Sequence, residues 1–168
     1  MRRRQPRVNL AAQLHGGGHE RGLRSGTLYP PQIVGLAKAI ELAMAEMSAE
    51  QTRLSELRSH LLNHLNQLPD IHINGHPTQR LPGNLNVSFG QVDGQNLLLG
   101  LQSTVALSSG SACSSATTAP SHVLKALGRS DQLTYAALRF GLGRSTSELD
   151  IQQVGQAVVR TVEALRAT

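Results

Sequence analysis

Between Ile33 and Leu68 the apolar residues fall at helical spacing almost without interruption, and this stretch restricts the fold more than any other. Ile33, Val34, Leu36, Ala37, Ile40, Ala43, Met44 and Met47 recur at such intervals, and Leu54, Leu57, Leu61, Leu62, Leu65 and Leu68 continue the pattern. Pro30 and Pro31 suit a first helical turn, whose amides have no intrahelical partner, and Pro69-Asp70 closes the run. The spacing predicts one long amphipathic helix, with Ser48 the place for any bend. A chain of 168 residues buries roughly two-thirds of its unfolded surface, enough to give such a helix a core to lie on.

The remainder alternates short strand and helix signals. "IHIN" and "NLNVSF" show strand-like alternation, separated by a turn region from Gly75 to Gly83. Asn96 to Gln102 reads as a short helix, Val105 to Leu107 as a strand, and Ser121 to Leu127 as a helix ended by Gly128. "AALRFGLG" reads as a strand. Ser145 followed by Glu148 makes a capping box for a final helix buried through Ile151, Val154, Val158, Val162 and Leu165. The pattern predicts an α/β or α+β domain in which helices cover a small mixed sheet.

Only 2% of residues are aromatic and tryptophan is absent, so the core must be aliphatic and base-stacking surface is scarce. The net charge of +5 is partly local, with Arg2, Arg3, Arg4 and Arg7 near the start; a solvated basic arm is expected, not a nucleic-acid contact. One cysteine cannot make an internal disulfide, no opening stretch resembles a signal peptide, and no apolar run approaches the roughly 20 residues that span a bilayer. A cytoplasmic chain without membrane contact is expected.

That cysteine, Cys113, lies in "SSGSACSS", within an eleven-residue polar segment from Ser108 to Thr118. Two alanines are its only other apolar residues, so an exposed thiol fits better than a core one, and activation needs a nearby positive charge or helix amino terminus. "HGGGHERGLRSGT", His15 to Thr27, sets consecutive glycines beside His19, Arg21, Arg24, Ser25 and Thr27, donors suited to phosphate or carboxylate; an ordinary glycine-rich connection is the alternative. Arg139 stands in the middle of an apolar strand, where a guanidinium must face a carboxylate or line a cleft. The pairs His15 and His19, His60 and His64, and His72 and His76 have metal-ligand spacing, but only His60 and His64 fall on a helix, without a third ligand nearby, so no metal is expected.

In this order, "HGGGHERGLRSGT", "NLNVSF", "SSGSACSS" and "LRFGLGR" resemble the carboxy-terminal part of a cysteine desulfurase, a pyridoxal-phosphate enzyme of the class V aminotransferase type, along essentially the whole chain. The long serine-rich segment resembles the branch that supplies iron–sulfur cluster assembly and tRNA thiolation. The resemblance implies the carboxy-terminal domain of the pyridoxal-phosphate transferase fold plus a strip of the large domain. Residues 1–30 would be the large-domain remnant, and residues 31–168 the linking helix and small domain, with the cysteine loop at 108–118.

It implies that Cys113 is the nucleophile that becomes a persulfide, also open to a transient iron–sulfur contact. By the same resemblance Arg139 binds the substrate carboxylate, and Thr27 reaches the phosphate of pyridoxal 5'-phosphate in the partner subunit, with His19, Arg21 and Arg24 shaping that loop. L-cysteine, a sulfur-acceptor or scaffold protein and a homodimer are the implied partners. The family's Ser-x-His-Lys stretch, whose lysine forms the Schiff base, is absent; Lys38 and Lys125, the only lysines, lack its context. Activity is therefore expected only when the missing part is supplied. The alternative is a non-enzymatic persulfide carrier or partner-docking module.

Overall fold

A computed structural model describes residues 9–108 and 120–167. The chain forms two compact units, Met1–Glu46 and Met47–Thr168, and the division falls inside helix α1, Pro30–Leu65. Among the described residues of the first unit, a 3-10 turn, Glu20–Gly22, interrupts an otherwise irregular glycine-rich stretch. Helical hydrogen bonding in α1 runs unbroken through Ser48, whose carbonyl also accepts from the Thr52 hydroxyl at 3.2 Å. The two halves of the helix differ in burial. Leu54, Leu57, Leu61 and Leu65 are buried, whereas Ile33, Val34, Leu36, Ile40, Met44 and Met47 are exposed. The apolar spacing correctly implied a helix along both halves; burial accompanies it only in the second.

In the second unit, three strands among the described residues pair in sequence order: β1, Ile71–Ile73, β2, Asn84–Phe89, and β3, Ala137–Gly141. Both ladders are antiparallel, with Ile73 opposite Val87, Leu85 opposite Phe140 and Asn86 opposite Arg139. The small sheet is thus present, and its described ladders run one way only, because consecutive short strands joined by turns and helical excursions return beside their neighbours. Alternation along β2 sends Leu85, Val87 and Phe89 to one face and Asn84, Asn86 and Ser88 to the other.

The apolar face packs on the buried half of α1, on Leu97 and Leu101 of α2, Gly94–Leu101, and on Ile151, Val158 and Val162 of α5, Glu148–Arg166. Each buried leucine or valine of this cluster stabilises the fold by about 1.5–3 kcal/mol relative to exposure. Helix α3, His122–Ala126, and the five-residue α4, Asp131–Tyr135, precede β3. Gly94 opens α2 where a Cβ would stand 2.0 Å from the Tyr135 carbonyl oxygen, so only glycine lets the two segments meet there.

Two local expectations need correction. Val105 to Leu107 is not a strand: this stretch only leads to Ser108, which makes an isolated antiparallel bridge with Arg139. The capping box of α5 is Ser147 with Asp150, not Ser145 with Glu148. The Gly143 amide donates to the Thr146 hydroxyl at 2.9 Å and the Thr146 amide to the Gly143 carbonyl at 3.1 Å, so the chain is still turning at Ser145. Arg53 reinforces that turn, donating to the carbonyls of Gly143, Arg144 and Thr146. Arg58 and Arg166 likewise tie loop carbonyls, at Leu81 and Pro82 and at Pro69, Asp70 and Gly90 respectively. Part of the positive charge is therefore fixed in structural ties.

Candidate active site

The polar face of the sheet carries the first candidate site. Because cross-strand partners share a face, Asn86 and Arg139 lie side by side on the face opposite the leucine core, and Ser108 follows beyond Arg139. The Arg139 amide donates to the Ser108 carbonyl at 2.9 Å, and the guanidinium Nη2 donates to the Ser108 hydroxyl at 3.2 Å. Arg139 is half-buried, and the charge that looked costly inside an apolar strand sits on that strand's polar side. Among the described residues, the hydroxyl partner orients the guanidinium without neutralising it.

On the β1 side the row continues. Asn74, 5% exposed, follows β1 and its amide donates to the Asn86 side-chain oxygen at 2.7 Å and to the fully buried Ser88 hydroxyl at 2.8 Å. Arg129, in the turn after α3, donates from Nε to the Asn74 side-chain oxygen and from Nη2 to the Ile73 carbonyl, both at 2.7 Å. Thus Arg139 holds the chain where it leaves toward the serine-rich segment, and Arg129 holds it shortly after its return. No role is expected of Ser108, Asn74 or Arg129 individually from the sequence: Ser108 enters only as the first residue of the serine-rich segment and Asn74 only as the last of "IHIN", and the strand register is needed to line them up with Arg139 and Asn86. Cys113 lies outside the described residues.

The second candidate site is the glycine-rich loop of the first unit. Leu14 and Arg24 form an isolated parallel bridge, the Ser25 amide donates to the Leu14 carbonyl at 3.1 Å, and the Gly18 amide donates to the Ser25 hydroxyl at 3.1 Å. The Gly26 amide points to His19 Nδ1 at 3.4 Å, and Arg24 Nη1 donates to the carbonyls of Gly26, at 2.9 Å, and Thr27. His19, Arg24 and Thr27 are thereby gathered in one closed loop, with Thr27 exposed. Arg21 is exposed and holds φ 59, a left-handed conformation unusual for a side-chain-bearing residue. Hydroxyl, imidazole and guanidinium donors together fit a phosphate group. Both lysines are exposed and ion-paired, Lys38 with Glu41 on α1 and Lys125 with Asp131.

His64, His72 and His76 have separate local contacts. His64 packs at Gly155 of α5, His72 Nε2 meets Asp70 at 2.8 Å, and His76 Nδ1 accepts from the Gln79 amide at 2.8 Å. The His72 contact, followed by that of Gln91, holds the Asp70 carboxyl below the ordinary aspartate range. Among the described residues no group of three His, Cys, Asp or Glu side chains is placed to hold a metal, and no helix is long and apolar enough to cross a membrane.

A model of the family Aminotransferase class-V matches residues 7–154. Curated relatives called cysteine desulfurase IscS are 53% identical in Acinetobacter baumannii and 46% identical in a Shewanella species, each over 98% of this chain. The chain spans 40% of the length of these relatives. A solved structure titled NifS-like protein is 32% identical with a TM-score of 0.77, covering 92% of this chain and 39% of its own. A NifS-like protein from Rickettsia africae shares the fold, with a TM-score of 0.80 at 24% identity over 93% of this chain and 41% of that one.

Proposed function

The chain belongs to the class V aminotransferase family, and on that footing we propose that it is the part of a cysteine desulfurase that carries the sulfur nucleophile, Cys113, and the substrate-carboxylate site, Arg139. The observation that carries the reading is the setting of Arg139, a guanidinium on the polar face of the sheet whose side-chain partner is a neutral hydroxyl. That hydroxyl belongs to the residue that opens the segment with the chain's one cysteine.

In this reading the carboxylate of L-cysteine takes the free edge of the Arg139 guanidinium, which fixes the substrate by a forked, charge-assisted contact. The Cys113 thiolate attacks the substrate sulfur; the carbon–sulfur bond breaks, the carbon is reprotonated to give L-alanine, and the sulfur stays on Cys113 as a persulfide. Pyridoxal 5'-phosphate supplies the electron sink that makes this cleavage accessible. Thr27, with His19, Arg21 and Arg24, would hold its phosphate across a homodimer, while its lysine comes from outside this chain. The persulfide then passes to an acceptor protein in the cytoplasm, for iron–sulfur cluster assembly or tRNA thiolation. Residues 1–30 belong, in this reading, to the cofactor domain, and residues 31–168 to the helix and small domain that present the nucleophile.

Holoenzyme containing this chain, given L-cysteine, should release L-alanine and gain one sulfur in mass on Cys113, and Cys113→Ser should lose both. Undiminished alanine release by Cys113→Ser defeats the reading.

A further inference from the structure

We propose that Ser108 is a positioning residue for the substrate-carboxylate site, setting the orientation of Arg139 while leaving its charge uncompensated. The inference rests on the reading of Arg139 given above and adds to it the residue that makes the guanidinium usable.

Two contacts between the same pair of residues carry it. The main-chain bond of 2.9 Å fixes Ser108 opposite Arg139 as an antiparallel partner, which puts both side chains on one face. The side-chain bond of 3.2 Å then occupies Nη2 of the guanidinium. An arginine side chain has several rotatable bonds, and one tethered nitrogen removes much of that freedom before any ligand arrives. Its other N–H groups remain to form the fork that a carboxylate requires.

The chemistry of the partner matters as much as its place. An aspartate at position 108 would hold the guanidinium more tightly, but it would compete with the substrate for the same charge. A hydroxyl orients and does not compete. The stretch leading to Ser108 also needs this anchor. Val105 and Leu107 line two cavities, of about 320 and 280 Å³, and the Val105 amide donates to the Leu101 carbonyl at 3.0 Å.

The test uses three substitutions at Ser108 and one at Arg139 in the holoenzyme, with L-cysteine as substrate. One neutral hydrogen bond corresponds to roughly a two- to tenfold change in affinity. Ser108→Ala should therefore raise KM about three- to tenfold with kcat within about twofold, Ser108→Thr should restore KM, and Ser108→Asp should raise it further. In the full chain without substrate, the Arg139 Nε–H proton should exchange with solvent faster in Ser108→Ala than in Ser108→Thr. If Arg139→Ala raises KM while Ser108→Ala leaves KM and the exchange rate unchanged, the positioning role is wrong and the carboxylate reading survives. A kcat loss in Ser108→Ala with KM unchanged also overturns it, since Ser108 would then act after binding. If Arg139→Ala itself leaves KM unmoved, the carboxylate reading fails and this inference fails with it.

Discussion

Arg129 and Asn74 stand 55 positions apart and meet at 2.7 Å, Nε against the side-chain oxygen. Through this contact the turn after α3 is joined to the end of β1, and Asn74 passes the connection to Asn86 and Ser88. Asn74 and Ser88 are buried, so a missing partner leaves a polar group without water to replace it. Arg129→Met should cost about 1–3 kcal/mol, read as a lower urea midpoint at unchanged slope. Combining it with Asn74→Ala in a double-mutant cycle should give a coupling above about 0.5 kcal/mol. Strict additivity would show that the two residues do not act together.

Acid should loosen the start of α5. The Ser147 amide, and next the Ser147 hydroxyl, hydrogen-bond Asp150 and hold its carboxyl below the ordinary aspartate value of about 3.9. A carboxyl with a depressed folded pKa favours its charged form in the native state. Its contribution is complete above the unfolded value and disappears as pH falls through the folded one, so the loss is confined to below about pH 4. Asp70, held low first by His72, adds to the loss in the same direction. Asp150→Asn should be less stable than the parent at pH 6, with the gap narrowing toward pH 3 in thermal melts; a constant gap would separate the capping box from the acid response.

The sequence was most readable where one period governed a whole element. "NLNVSF" announced both faces of β2, because a strict alternation has only one way to lie on an apolar core. The long apolar run announced α1 but not its burial: periodicity reports the conformation of a helix, and Ile33 and Met44 are exposed although they fit it as well as Leu57 does. Ser145 and Ser147 both head a plausible capping pattern, and only the turn closed by Gly143 and Thr146 decides between them. Helix α4, at five residues capped by Ser130, is too short to show a period. Arg139 stood out because a charge inside an apolar strand is expensive, yet its partner, 31 positions away, became visible only with the register of β3.

Gly94 should tolerate no side chain. The Cβ of alanine would stand 2.0 Å from the Tyr135 carbonyl oxygen and 2.5 Å from its carbon, both backbone atoms that cannot rotate aside. Gly94→Ala must therefore push α2 away from the end of α4, costing about 1–3 kcal/mol, typical of overpacking, despite alanine's better helix propensity. Gly100→Ala is the milder comparison: the three atoms nearest its Cβ all belong to the Thr161 side chain, the methyl at 2.7 Å, and none is backbone. Equal melting temperatures for Gly94→Ala and the parent would mean that α2 and α4 separate without cost.

Arg166 closes the end of α5 onto two turns at once. Its Nε and Nη2 donate to the Gly90 carbonyl at 3.1 and 2.8 Å, and Nη1 to the Pro69 carbonyl at 2.9 Å. The turn it holds contains Asp70 in a left-handed conformation at φ 51, so the clasp secures backbone that would otherwise relax. Lysine cannot reproduce this pattern, because a single ammonium is a point donor and the two carbonyls are reached from different edges of one planar fork. Arg166→Lys and Arg166→Met should therefore destabilise the fold by similar amounts, about 1–3 kcal/mol in denaturant titrations, with faster amide exchange at Gly90 in both. Full rescue by lysine would show that charge alone, not the fork, holds these turns.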